Sequence, residues 1–165
     1  MVVYAALMTI SVAWIGLIFA APWLMAERRL LASTIIYRGF SAVCHQIAER
    51  SFHFRGFPLG VCSRCASIYI GFIAGLLIYP LVRDLKEWRI PARWILVISA
   101  VPTLIDFTGG VLGLITNTFF SRAATGSLVG AVGAFYVLPA IVAVFRSPDG
   151  TGSELNTAVQ GVRLE

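Results

Sequence analysis

The chain has few charged residues for its length. Of its 165 residues, 13 are Lys or Arg and 8 are Asp or Glu, so that 13% are charged, whereas an ordinary soluble domain carries about 25%. Hydrophobic residues make up 58%, and the mean hydropathy is +0.84. This shortage of charge excludes an ordinary water-soluble domain and predicts a chain that lies mostly in lipid.

Charge is almost absent from four long segments, in which Asp106 is the only acidic residue. A helix needs about 20 consecutive apolar residues to cross a bilayer, and each segment is close to that length or longer. We therefore predict an all-α, polytopic membrane protein with four transmembrane helices. The predicted spans are residues 2–25, 62–82, 94–115 and 123–145.

The remaining segments are too polar or too short to span. A helix over residues 30–47 would place Thr34 and Arg38 on one face and Leu31 and Ile35 on the other, which predicts an amphipathic helix in the membrane interface. Residues 49–60 contain several Gly and Pro and indicate a loop. The tail, residues 146–165, is polar, and we expect it to be disordered.

Basic residues lie next to the predicted helix ends, where they can reach lipid headgroups. The net charge of +5 therefore indicates contact with the lipid bilayer and not with nucleic acid. The first apolar segment has no Lys or Arg before it, which favours a retained helix over a signal peptide.

The basic residues divide almost equally between the two predicted membrane sides, so they do not decide the orientation. One side holds Arg28, Arg29, Arg38, Arg50, Arg55, Arg64 and Arg122, and the other holds Arg83, Lys86, Arg89, Arg93, Arg146 and Arg163. Because the N-terminus carries no Lys or Arg, we expect it to lie on the outer side of the membrane. Export would leave the first connection on the cytoplasmic side.

Cysteine and histidine are scarce, yet all five lie within 22 residues. The sequence contains only three Cys and two His. This crowding predicts one shared site at the start of the second span. Its members are Cys44, His45, His53, Cys62 and Cys65.

The cysteine spacing is typical of a metal site. Cys62 and Cys65 are three residues apart and therefore share a helix face, at a helix start where thiolates are stabilised. With Cys44 as a third sulfur, we expect Zn²⁺ in a structural site, with His45 as the fourth ligand. His53 or Asp106 is the alternative fourth ligand. If one position stays open, a metal-bound water becomes available for chemistry.

The connectivity predicts a polar pocket beside the cysteines. Since the third helix returns to the side from which the second departs, the turn with Asn117 and Arg122 should face the cysteines. An acidic residue inside a span marks a functional-site hypothesis, which makes Asp106 a candidate, with Arg122 or Arg64 as its counter-ion. With Arg50, these residues are the candidates for catalysis and would position an anionic lipid or a small molecule.

A second hypothesis is a membrane thiol–disulfide oxidoreductase. Cys62 and Cys65 would form the active pair and Cys44 would act as a shuttle thiol. Four helices with such a pair at a helix start are similar to quinone-coupled disulfide-forming enzymes. Those enzymes use a second exposed pair, for which this chain has only one further thiol.

Glycines at four-residue spacing indicate where helices approach closely. Frequent glycine in membrane helices explains the same spacing without close packing. The pairs are Gly71 and Gly75, Gly109 and Gly113, and Gly126 and Gly130.

A set of short motifs runs from the first cysteine to the fourth span: Cys44-His45-Gln46, Glu49 to Phe52, Val61 to Cys65, Ile68 to Gly71, Asp106, Asn117, Arg122 and Thr125-Gly126. Together these motifs resemble an uncharacterised integral-membrane family, domain of unknown function 2085. The resemblance covers about residues 40 to 130 and implies a membrane protein, here placed in a prokaryotic cell membrane, with no known reaction. Residues 66–67 and 107–109 depart from the family pattern.

Overall fold

The computed structural model describes residues 1–85, 87 and 89–146, and the predicted disordered tail falls almost entirely outside them. The described part of the chain contains five α-helices, one 3₁₀ turn and one short hairpin. They are α1 (Val2–Ala26), α2 (Leu30–Phe40), the 3₁₀ turn Ala48–Arg50, β1 (His53–Phe54), β2 (Phe57–Pro58), α3 (Ser63–Val82), α4 (Arg93–Val111) and α5 (Phe119–Arg146).

Four of these helices, α1, α3, α4 and α5, are long and apolar enough to cross a membrane, with mean hydropathies of 2.2, 2.0, 1.6 and 2.3. At most a third of each span is buried inside the protein, so its remaining apolar surface faces outward, toward lipid. The predicted all-α, polytopic membrane fold is confirmed.

Helices α3 and α5 pack closely through glycines from both sides. A Cβ added to Gly71 or Gly75 of α3 would collide with the backbone of Ser127 or Ala131 on α5. In return, a Cβ on Gly130 would collide with the backbone of α3. Two of the three glycine pairs named from the sequence therefore serve close helix contact.

A proline in α1 ties that helix to the loop before the cysteines. Pro22 has no N–H, so the carbonyl of Ile18 loses its helical partner. The backbone N–H of Gly60 donates to this carbonyl at 3.2 Å. One turn away, the hydroxyl of Ser33 donates to the carbonyl of Ala21 at 2.8 Å and fixes α2 against α1. These bonds satisfy backbone groups that lipid cannot.

At the opposite end of the bundle, a proline again leaves a backbone carbonyl that another helix bonds. Pro80 leaves the carbonyl of Leu76 without its helical partner, and the hydroxyl of Tyr4 donates to it at 3.1 Å, which joins α1 to α3. Tyr136 on α5 donates to the carbonyl of Ala92, just before α4, at 2.7 Å.

Helix α2 is shorter than the helix expected over residues 30–47. It ends at Phe40, and the backbone N–H of Cys44 bonds the carbonyl of Phe40 at 3.0 Å across a turn. Gly39 lowers helix stability at this end. The chain from Cys44 to Ile47 is therefore irregular and can aim its side chains independently of a helical face.

Helix α4 ends at Val111, before the expected boundary at 115, because Gly113 adopts a left-handed conformation with φ +70°. The N–H of Leu114 donates to the carbonyl of Gly109 at 2.9 Å, which completes a Schellman cap. Gly113 thus terminates the helix and is not a packing glycine, and α5 begins at Phe119, earlier than the predicted 123.

The predicted loop over residues 49–60 contains a two-strand hairpin. Arg55 (φ 53°) and Gly56 (φ 88°) both have positive φ, as a type I′ hairpin turn requires. Arg55 also pairs with Glu27 at 2.6 Å, at the end of α1.

Candidate functional site

Three cysteine sulfurs meet at the start of α3. The Sγ atoms of Cys44, Cys62 and Cys65 all lie within 4.8 Å of one another, although Cys44 precedes Cys62 by 18 residues. Cys44 is buried and the other two are partly buried, and all three are free thiols. The structure therefore brings together the three sulfurs that the sequence singled out.

The sulfur of Cys44 receives two backbone N–H groups. The N–H of Cys62 lies 3.2 Å from this Sγ and the N–H of Gln46 lies 3.5 Å from it. The start of α3 and the turn after Cys44 thus both hold this sulfur in place.

Cys62 is the N-cap residue of α3, at the positive end of the helix dipole. The thiol of Cys65 donates a hydrogen bond to its sulfur, and this bond lowers the pKa of Cys62 to about 5. Backbone groups of Cys65 and Arg64 add to the effect. The helix start and these hydrogen bonds therefore favour the thiolate form of Cys62.

Gln46 fixes the loop that carries Cys44. Its side-chain amide donates to the carbonyl of Tyr37 at 2.8 Å and to that of Gly60 at 2.7 Å. It thereby joins the end of α2 to the segment that leads into Cys62. Gln46 has φ 50°, a value that only a few per cent of non-glycine residues adopt. Sequence reasoning assigned this residue no role.

The candidate fourth ligands lie outside the sulfur group. His45 is exposed, although it lines the same cavity as the cysteines. His53 is exposed on β1 of the hairpin. Among the described residues, no carboxylate or imidazole atom joins the three sulfurs within the same distance, so Asp106 also stands apart.

Asp106 is buried on α4 and forms an ion pair with Arg64 of α3. The side-chain amide of Asn117 donates to its backbone carbonyl at 2.6 Å and to its carboxylate Oδ2 at 3.1 Å. Between the two counter-ions considered from the sequence, Arg64 is the one in contact. The arginine that lies between Cys62 and Cys65 thus links the sulfur group to α4.

A cavity of about 610 Å³ lies beside the sulfurs and is lined by residues of α3, α4 and α5. It brings the cysteines together with the polar residues of the α4–α5 turn, as the connectivity predicted. Its polar lining is Cys44, His45, Gln46, Arg50, Cys62, Arg64, Cys65, Thr103, Asn117 and Arg122.

Three arginines face this cavity, and none of the described residues that line it is acidic. Arg64 is held by Asp106, whereas Arg122 has no ion pair within the described residues. The positive charges of Arg50 and Arg64 act on Arg122, and the negative charge of Asp106 opposes them. This wall of the cavity is therefore positively charged.

A family model described as "Predicted membrane protein (DUF2085)" matches residues 44–136, more than half of the chain. The chain belongs to this family. It is similar to an uncharacterised protein of Methanocaldococcus jannaschii, 37% identical over 107 residues, which are 65% of this chain and 69% of that protein. An uncharacterised protein of Methanothermobacter thermautotrophicus is 33% identical over 93 residues, 55% of this chain and 80% of that protein. No solved structure matches the chain.

The DUF2085 match begins at Cys44 and extends past Arg122, so it contains all three sulfurs and every residue that lines the cavity except Val43. Helix α1 and helix α2 precede it. The region that defines membership of the family is thus the region that builds the site.

Proposed function

We propose that this membrane protein binds one Zn²⁺ ion through the thiolates of Cys44, Cys62 and Cys65. The observation that supports this proposal is the convergence of three sulfurs within 4.8 Å. Zinc bound tetrahedrally at about 2.3 Å from each sulfur needs sulfur–sulfur distances of about 3.8 Å, so the group has to contract by at most about 1 Å. A donor set rich in thiolate suits Zn²⁺ and not Mg²⁺ or Ca²⁺.

The proposed role of the ion is structural. It would fasten the irregular segment after α2, through Cys44, to the first turn of α3, through Cys62 and Cys65. Two backbone N–H groups donate to Cys44 Sγ and hold this sulfur in position before the metal binds. Binding free energy at such a site adds directly to folding stability.

His45 is the proposed fourth ligand, because it follows Cys44 and lines the same cavity. It stands outside the sulfur group, so its imidazole would have to turn inward when the ion binds. If His45 stays exposed, the fourth position faces the cavity and takes water or a bound molecule, which is the arrangement of a catalytic zinc site.

The metal content of the purified protein tests this proposal. In detergent, without chelators, we expect about one zinc per wild-type chain by elemental analysis, and almost none in Cys62→Ser or Cys44→Ser, because two remaining thiolates hold zinc too weakly. Ser63→Ala is the matched control: Ser63 adjoins Cys62, and its buried hydroxyl has no hydrogen-bond partner in the described structure. This variant should keep its zinc.

A metal-free wild type with a Cys62–Cys65 disulfide would overturn the zinc proposal and support the second candidate, a thiol–disulfide oxidoreductase. The observation in favour of that candidate is the lowered pKa of Cys62, about 5, at a helix start beside a second thiol. A thiolate with such a pKa is a good leaving group in thiol–disulfide exchange. Thiol counting on the same samples distinguishes the two candidates.

We further propose that the site faces the cytoplasm of a prokaryotic cell. The uncharged N-terminal segment supports this orientation. In Arg55→Cys, the new thiol lies on the exposed hairpin turn of the same side. A membrane-impermeant maleimide should label it only after the cells are lysed. Labelling in intact cells would show that the hairpin, and with it the site, faces the outside.

A further inference from the structure

We propose that the cavity beside the cysteines binds an amphiphilic anion, a lipid with a phosphate headgroup. The phosphate would lie between Arg50 and Arg122, and the acyl chains would lie against α3, α4 and α5. This inference deepens the proposed function, because it names the ligand of the same site. It rests on the arginines and the cavity and does not require the metal.

The charge balance of the cavity calls for an anion. Arg50, Arg64 and Arg122 bring three positive charges, and Asp106, paired with Arg64, brings one negative charge. A zinc ion with three thiolates would add a net charge of −1. One positive charge then remains without a partner even in the zinc-loaded protein. Near a membrane core, where water is scarce, such an excess is costly unless a ligand neutralises it.

The polar groups in this wall have the chemistry that binds phosphate. Guanidinium groups bind phosphate oxygens through paired hydrogen bonds. Nε of Arg64 is buried and has no hydrogen-bond partner among the described residues, so this guanidinium keeps one unused N–H beside its ion pair with Asp106. Oδ1 of Asn117 is likewise buried without a partner, against Gly110, which also lines the cavity.

The other walls are apolar and belong to membrane-spanning helices. Ile68 of α3, Leu104 and Phe107 of α4, and Val129 of α5 line the cavity. Leu104 and Phe107 are 61% and 52% exposed, so this side opens toward the surface that lipid covers. A volume of about 610 Å³ suits a drug-sized ligand. Free phosphate is much smaller and would leave the apolar walls uncovered, which favours a lipid.

Binding of short-chain phosphatidic acid tests the inference. The zinc-loaded protein in detergent is titrated in a calorimeter with this lipid, with phosphatidylcholine of the same chains, and with inorganic phosphate. We expect saturable binding of phosphatidic acid, with much weaker binding of the other two. Arg122→Gln and Arg50→Gln should each weaken it about tenfold or more. Arg38→Gln, an exposed arginine on α2 outside the cavity, should leave it unchanged.

The outcomes separate this inference from the zinc proposal. Phosphatidic acid that binds equally well to wild type and to both arginine variants would overturn the inference, as would equal binding of phosphatidylcholine. If inorganic phosphate binds as tightly as phosphatidic acid, the acyl chains do not contribute to binding, and the lipid is overturned as the ligand in favour of a simple phosphate site.

Metal content is measured on the same samples. Normal zinc in Arg50→Gln together with lost lipid binding supports the inference. A zinc-free wild type that still binds the lipid contradicts only the zinc proposal. Since Arg50 is exposed, its variant should fold even if Arg122→Gln does not.

Discussion

Asp106→Ala is expected to destabilise the protein by about 3–5 kcal/mol, the usual cost of removing one partner from a buried ion pair. The side chains of Arg64 and Asp106 are 17% and 8% exposed, so water screens their pair only weakly. Without Asp106, the charge of Arg64 would stay near those of Arg50 and Arg122 with no carboxylate beside it. The amide of Asn117 would also lose its bond to the carboxylate.

Thermal unfolding of the detergent-purified protein measures this effect. Asp106→Asn keeps the shape and loses the charge, so it should be nearly as destabilising as Asp106→Ala. Adding Arg64→Leu to Asp106→Ala should recover part of the stability, because no lone charge remains. Thr108→Ala is the control: Thr108 is exposed on the same helix, and its hydroxyl bonds only within α4. If Asp106→Ala unfolds at the same temperature as the wild type, the ion pair does not stabilise the protein and the prediction is wrong.

The four spans could be predicted from the sequence because long apolar segments have only one stable form in lipid. Backbone groups there must be bonded within the segment, and a helix achieves this. Hydropathy located α1 and α3 nearly to the residue. The ends of α4 and α5 were less accurate, since apolar residues continue into the turn and hydropathy does not detect a change of backbone conformation.

The end of α4 depends on the conformation of one residue. The spacing of Gly113 from Gly109 fits either close packing or the high frequency of glycine in membrane helices, whereas the positive φ of Gly113 ends the helix. A glycine followed by an apolar residue is a possible Schellman signal, which could have found this boundary. For the interfacial helix, Gly39 is the residue that could indicate an early end, but the turn after Phe40 needs the tertiary contacts of Cys44.

Much of the site followed from connectivity alone. Alternating helix directions place Cys62, Asn117 and Arg122 at one membrane side whatever the details of packing. The choice of Arg64 over Arg122 as partner of Asp106 did not follow, because it depends on how α3 and α4 are rotated. Nor did the role of Gln46, whose bonds join two segments that are distant in sequence.

The first turn of α3 carries both halves of the site. Cys62 and Cys65 face Cys44, and Arg64 between them faces Asp106 on α4. An ion bound by the sulfurs would therefore restrain the arginine that supports the charged wall of the cavity. Loss of either the metal or the ion pair should loosen the other, a coupling that a double-mutant cycle of Cys62 and Asp106 can measure.

The position of this turn depends in turn on the contact of α3 with α5, so Gly130→Val is expected to be as damaging as any change in the site. A Cβ at Gly130 would overlap the backbone carbonyl of Ile68, which cannot turn away as a side chain can. Overpacking costs about 1–3 kcal/mol where side chains can adjust, and more is expected against backbone. Ile68 also lines the cavity, so the two helices would separate beside the site.

Gly133→Val is the matched control, since Gly133 lies on the same helix and a Cβ there meets nothing within 4 Å. Both changes replace a helical glycine by the same residue, so their intrinsic effects on the helix cancel in the comparison. We expect Gly133→Val to unfold near wild type in a denaturant titration, whereas Gly130→Val should unfold at much lower denaturant or fail to accumulate. Equal behaviour of the two would mean that α3 and α5 do not meet at Gly130, and the placement of Arg64 and the cysteines on α3 would then lose its support.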